Sequence, residues 1–152
     1  MAKVFEDYFS EIQADMVSIC LEYVNGVADK IYIYCSYESG MIAPSYFYSI
    51  NGKLVERHKL NDVGSIQYDV SPERQKQVFS IIIDDIKTMI KLCDEHKREM
   101  PTEMKMIYDV KTRKFKADYS YELIYTNVPD KIADHVANEW FEEVKKTSES
   151  CA

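Results

Sequence analysis

The alternation of apolar and polar residues is most regular over residues 71–100, where it predicts one long α-helix. Apolar side chains recur there every three or four positions, which places them on one side of a helix. This stripe consists of Phe79, Ile82, Ile86, Met89 and Cys93. Ser71 followed by Pro72 is typical of a helix start, because serine caps the first free amides and proline fits the first turn. We expect the helix to end next to Pro101, which cannot continue its hydrogen bonds.

Two shorter helices are predicted at the ends of the chain. Residues 4–23 show the same periodicity, and Asn25-Gly26 directly after them is a typical left-handed helix stop. Apolar residues recur every four positions over residues 132–144, from Ile132 onward, and Pro129 lies near the start of this segment. The pattern therefore predicts one helix before and one helix after the long one.

Alternating apolar and polar residues predict five strands, over residues 31–37, 45–50, 53–60, 104–110 and 115–121. Asn51-Gly52 predicts a type I′ turn, which would place Ile50 opposite Lys53. Tyr48 would then lie opposite Val55. The first strand is apolar or aromatic on both sides, so we expect both faces of the sheet to be at least partly covered.

The resulting order, α-β-β-β-α-β-β-α, places consecutive strands in hairpins. It predicts the α+β class, with an antiparallel sheet packed against one long central helix and shorter N- and C-terminal helices. At 152 residues the chain fits one domain, which we expect over residues 1–146, followed by a polar, frayed tail over 147–152.

Composition and charge narrow the possible functions. The formal net charge of -7 argues against direct nucleic-acid binding and suits a basic protein partner. No apolar run is long enough to span a bilayer, and the N-terminal residues lack the pattern of a signal peptide. We therefore expect no membrane contact and a cytoplasmic location.

The sequence contains little that predicts catalysis or metal binding. Only 4 glycines are present, and none lies in a phosphate-loop pattern. No cysteine or histidine shows the spacing of a metal site or a redox pair; these residues are Cys20, Cys35, Cys93, Cys151, His58, His96 and His135. We expect a protein that is not an enzyme and has no cofactor, metal or disulfide. An enzyme whose site is assembled from distant residues, such as a carboxylate and His58, is an alternative.

Tyrosine is the outstanding residue, with 12 copies, many of them in or beside the predicted strands. Because tyrosine combines a large contact area with a polar tip, it is common at binding surfaces. We predict a partner-binding surface on the second hairpin, with acidic residues that steer a basic partner. The predicted anchors are Tyr119 and Tyr121, the steering charges are Asp118 and Glu122, and the fallback surface is Tyr32 and Tyr34.

Three short motifs resemble those of a known family. They are Tyr68-Asp69-Val70-Ser71 at the entry to the long helix, RKFKADYSYE over residues 113–122, and Pro129 followed by Trp140-Phe141. Together with the order of elements, they resemble the YezG-like immunity proteins, bacterial antitoxins for secreted nuclease toxins. The chain departs from that family at Pro101-Thr102, where Pro-Trp is usual.

The resemblance implies a non-catalytic immunity protein that binds and neutralises a toxin, by occluding the toxin's active site or by folding against its catalytic domain. The alternative is an acidic adaptor or protein-interaction domain unrelated to toxins.

Overall fold

A computed structural model describes residues 4–63, 67–122 and 133–150, with side chains of the last helix described for residues 136–146. The elements are α1 (Phe5–Tyr23), β1 (Lys30–Glu38), β2 (Met41–Ile50), β3 (Lys53–Glu56), α2 (Pro72–Glu95), β4 (Glu103–Asp109), β5 (Lys114–Ser120) and α3 (Ala133–Ser150). This order confirms the predicted α+β class. The predicted positions of Pro129 and Ile132 lie outside the described residues, as does Cys151.

The five strands form one antiparallel sheet in the order β3-β2-β1-β4-β5. Asn51 and Gly52 have φ angles of 53° and 76°, and Ile50 lies opposite Lys53, so the predicted type I′ turn is confirmed. A second such turn, Ser39-Gly40 with φ angles of 51° and 77°, joins β1 to β2. This turn was not among the predicted ones. It explains why β2 begins at Met41, four residues before the prediction.

Helices cover both faces of the sheet, as the composition of the first strand predicts. On one face α1 and α2 pack over β1 residues such as Ile31 and Ile33 and form the larger core with Ile82, Ile86 and Met89. On the opposite face α3 packs over Tyr32, Tyr34 and Phe47 through Trp140 and Phe141. The structure is therefore a helix–sheet–helix sandwich with β1 in its centre.

The long helix begins as predicted but ends earlier. Ser71 Oγ accepts a hydrogen bond from the Arg74 amide at 3.2 Å, which confirms the N-cap. At the other end, the Arg98 amide donates to the Cys93 carbonyl and the Lys97 amide to the Asp94 carbonyl. This pair of bonds is a Schellman motif, with Lys97 in the left-handed region at φ 54°. The motif, and not Pro101, ends α2, so the helix has 24 residues.

The strand predicted over residues 53–60 is also shorter in the structure. β3 ends at Glu56, and the chain turns into a short 3-10 helix, Arg57–Asp62, that buries Leu60 in the larger core. The Arg57 guanidinium lies over the rings of Tyr46 and Phe79, 5.2 and 4.6 Å from their centres. These contacts lie at the point where the chain leaves the sheet.

Candidate functional site

The most exposed cluster of aromatic residues lies on β5 and directly after it. Phe115, Tyr119 and Tyr121 are 41%, 43% and 49% exposed, although large aromatic side chains are usually well buried. Across the β4–β5 pairing, Phe115 lies opposite Tyr108 and Tyr119 lies opposite Met104, which places both on the face that carries α1. The sheet thus presents an aromatic border beside a helix.

Two cavities of about 420 Å³ each border α1 and the β4–β5 hairpin, and the second is also lined by Cys93, Arg98 and Glu99 at the end of α2 and after it. The lining of the first includes Val17, Leu21, Tyr108 and Phe115, and that of the second includes Phe5, Phe9, Tyr119 and Tyr121. Gln13 Nε2 donates a hydrogen bond of 2.8 Å to the Tyr119 hydroxyl and so joins a lining residue of each cavity. We refer to the two cavities together as the α1–hairpin groove.

The two elements that border this groove, α1 and the hairpin, differ in net charge. Helix α1 carries five acidic residues, Glu6, Asp7, Glu11, Asp15 and Glu22, and no basic residue. Residues 103–122 of the hairpin carry five basic and four acidic residues, a net charge of +1. The acidic residues of the hairpin therefore give it no net negative charge. The acids of α1 lie beside the groove and not in its lining, because the α1 residues that line the first cavity are all uncharged.

The structure places Asp118 and Glu122, the predicted steering charges, near the end of β5 and just after it. Asp118 lies on the sheet face that carries α3, directly opposite Lys105 of β4, so a basic neighbour offsets its charge. Glu122 is exposed, and its carbonyl accepts a hydrogen bond of 2.6 Å from the Thr102 hydroxyl. Tyr119 and Tyr121 line the groove, and strand alternation places Asp118 on the opposite face of the sheet from Tyr119.

Tyr32 and Tyr34, the fallback surface, are covered by α3. They are 5% and 1% exposed, and their ring centres lie 5.9 and 6.2 Å from that of Trp140. The Tyr34 hydroxyl donates a hydrogen bond of 2.7 Å to Glu103 Oε2. This fallback is therefore corrected: in the folded chain the two rings form the core between β1 and α3 and offer no surface to a partner.

A third cavity, between α1 and α2, contains a carboxyl with a strongly raised pKa. Burial first, and the neighbouring Asp15 second, together raise the pKa of Asp85 to about 8. Asp85 Oδ2 is buried and accepts no hydrogen bond from a described donor, so a protonated Asp85 can donate to Asp15. The two carboxyls line the same cavity between the two helices.

His58 lies apart from that pair, on the 3-10 helix. Its Nε2 is 3.5 Å from Glu56 Oε2, and both side chains are nearly half exposed. His58 lines neither the groove nor the cavity beside Asp85. Within the described ranges, no group of three or more potential ligands is placed to hold a metal ion. In those same ranges, no helix has both the length and the apolar composition required to cross a bilayer.

Comparison with known proteins leaves the function to be argued from this geometry. No protein-family model matches the chain, and no curated protein matches it.

Proposed function

We propose that this protein is a non-catalytic binding protein of the immunity type, which neutralises a basic toxin domain by docking it on the α1–hairpin groove. The observation that carries the proposal is the groove itself, an apolar and aromatic cleft beside a helix that carries five acidic residues and no basic one. Partly exposed aromatic residues at a cleft are typical of protein-binding surfaces, and acidic residues beside them favour encounter with a basic partner.

The structure supports a revised set of contact residues. Tyr119 and Tyr121 are retained as aromatic anchors, joined by Phe115, because all three are exposed on one border of the sheet. The steering charges move from Asp118 and Glu122 to α1, where five acids lie on one helix. The acidic character of this helix is already visible in the chain, since residues 5–23 contain no lysine or arginine.

The first experiment identifies the partner and tests neutralisation. The chain would be used to capture binding proteins from the cells that produce it, and each captured protein would be expressed alone and together with the chain. We expect a basic protein that arrests growth alone and is harmless in co-expression. Capture of a protein that is neither basic nor toxic would support the adaptor alternative instead.

The second experiment tests the acidic residues of α1. The double variant Glu11→Lys with Glu22→Lys reverses two charges on α1, and Asp84→Lys with Asp94→Lys makes the same net change on the exposed side of α2. We expect the α1 variant to slow association with the purified partner and to weaken its salt dependence, because electrostatic steering acts mainly on the association rate. Equal effects of the two variants would show that only net charge matters and would contradict docking at α1.

A further inference from the structure

The outer edge of β5 is the longer free edge of the described sheet. Strand order places β5 at one end and β3 at the other, and these strands have seven and four residues. Among the described residues, no strand pairs with the outer side of β5. An edge of this length presents unpaired backbone amides and carbonyls, which can pair with a strand of another chain.

The side chains of β5 are self-complementary in one antiparallel register. If Ala117 faces its own copy, Phe115 lies opposite Tyr119 of the second copy, and Lys116 lies opposite Asp118. Phe115 and Tyr119 share one face of the sheet, and Lys116 and Asp118 share the other. Each pair occurs twice across the two-fold axis. Aromatic pairs and opposite charges directly across strands are both stabilising arrangements.

Charge selects this register over its neighbours. A shift of the pairing by two residues keeps every side chain on the same face of the sheet. In one direction it places Lys116 opposite Lys116 of the second copy, and in the other it places Asp118 opposite Asp118. Both arrangements place like charges directly across the strands, which is destabilising. Lysines on an edge strand usually discourage pairing with another strand. Here Asp118 lies opposite Lys116 in one register alone, and in that register it compensates the charge of the lysine.

The ends of the hairpin match in charge as well. In this register the turn that follows β4, with Lys111 and Arg113, approaches the segment after β5 of the second copy, where Glu122 is exposed. The N-terminal part of α1 lies near the same end of β5, since the rings of Phe9 and Tyr119 are 6.0 Å apart. Its first turn contains Glu6 and Asp7, but Glu6 is paired with Arg98 at 3.0 Å. Glu122 is therefore the acid that the basic turn of the other copy would meet.

We propose that β5 pairs antiparallel with β5 of a second copy of this chain, with Ala117 on the two-fold axis, and that the two five-stranded sheets become one. The interface is isologous, so the same strand provides both sides. The proposal is independent of the proposed function. Because Phe115 and Tyr119 belong to both surfaces, a second copy and a toxin domain would exclude one another.

Complementary charge variants test the register. Sedimentation equilibrium over a concentration series should show a reversible monomer–dimer equilibrium for the natural chain. Lys116→Asp should raise the dissociation constant roughly tenfold or more, because it creates two like-charge contacts. Asp118→Lys should have the same effect, and an equimolar mixture of the two variants should form a heterodimer, since every contact then joins opposite charges. Lys53→Asp makes the same charge change on exposed β3, at the opposite edge of the sheet, and serves as the control.

A measurement on the natural chain covers the case in which a variant fails to fold. Hydrogen exchange of the β5 amides should slow as protein concentration rises, while exchange in β1 should not change. A monomer at every concentration would overturn the proposal. A dimer that is indifferent to both charge variants would overturn it too, and so would β5 amides whose exchange is independent of concentration.

Discussion

β1 and β5 belong to the same sheet and are separated by a single strand, yet they differ completely in burial. Seven of the nine residues of β1 are buried, and none of the seven residues of β5 is. β1 is hydrogen-bonded on both edges and covered by helices on both faces. β5 has one paired edge among the described strands, and its aromatic residues are only partly covered by α1. The tyrosines of β1 are therefore largely buried in the core, whereas Tyr119 of β5 remains 43% exposed.

The largest expected effect comes from truncation of matched apolar residues in the two strands. Ile33 of β1 is 1% exposed, so Ile33→Ala should lower the free energy of unfolding by about 2–5 kcal/mol through lost burial and a cavity. Phe115→Ala in β5 should cost about 1 kcal/mol or less, because much of the ring already contacts water. Urea unfolding at low protein concentration measures both. Equal losses would show that β5 is covered in the folded monomer.

A smaller effect is expected from removal of one hydroxyl in each region. Tyr34→Phe removes the donor to Glu103 Oε2 in a buried site, which should cost about 1.5–3 kcal/mol because the acceptor is a carboxylate. Tyr119→Phe removes the acceptor for Gln13 at a partly exposed site, where water can replace it, and should cost about 1 kcal/mol or less. Thermal unfolding would compare the two. A larger loss of stability for Tyr119→Phe than for Tyr34→Phe would contradict the conclusion that Tyr34 stabilises the core more than Tyr119 does.

The third expected effect is smallest and depends on pH. Asp85 lies close enough to β1 that its charge raises the pKa of Cys35, after the larger effect of burial. The pKa of Asp85 rises from 3.8 to about 8 on folding, so the folded chain binds a proton more tightly and loses stability as pH increases between these values. Asp85→Asn should remove this loss and be more stable than the natural chain at pH 8 by about 1–2 kcal/mol, a value limited by partial solvation.

The matched control for this pH effect is Asp94→Asn, on an exposed position of the same helix. Urea unfolding at several pH values should show a shallower decline for Asp85→Asn than for the natural chain, and an unchanged decline for the control. If Asp85→Asn and the natural chain show parallel pH profiles, the carboxyl pair is solvated and contributes nothing to pH-dependent stability.

Local signals in the sequence were sufficient for most of the elements and turns. Asn51-Gly52 fixes its own turn and the pairing of Ile50 with Lys53, because a type I′ turn needs positive φ at both central residues. Ser71 and Pro72 fix the start of α2 for an equally local reason. The end of α2 was less predictable, because a lysine occupies the left-handed position where glycine is expected.

The position of each strand in the sheet could not be predicted by such signals. β1 pairs with β4 across a separation of about seventy residues, and only that pairing makes β1 central and β5 an edge. Alternation marks Tyr34 and Tyr119 as strand residues alike, and it contains no information on which strand is covered by α3. The burial of Tyr32 and Tyr34, and with it the correction of the binding surface, follows from this non-local pairing.

The reactivity of the three described cysteines can be used to measure local opening of the folded chain. Cys20, Cys35 and Cys93 are unpaired and at most 2% exposed, and burial raises the pKa of each thiol. Since alkylating reagents attack the exposed thiolate, each cysteine reacts only when its surroundings open. Cys20 and Cys35 lie in the larger core, whereas Cys93 lines the groove near Tyr119 and Tyr121. With Cys151 replaced by serine, labelling rates would time the fluctuations of the groove separately from those of the sheet centre.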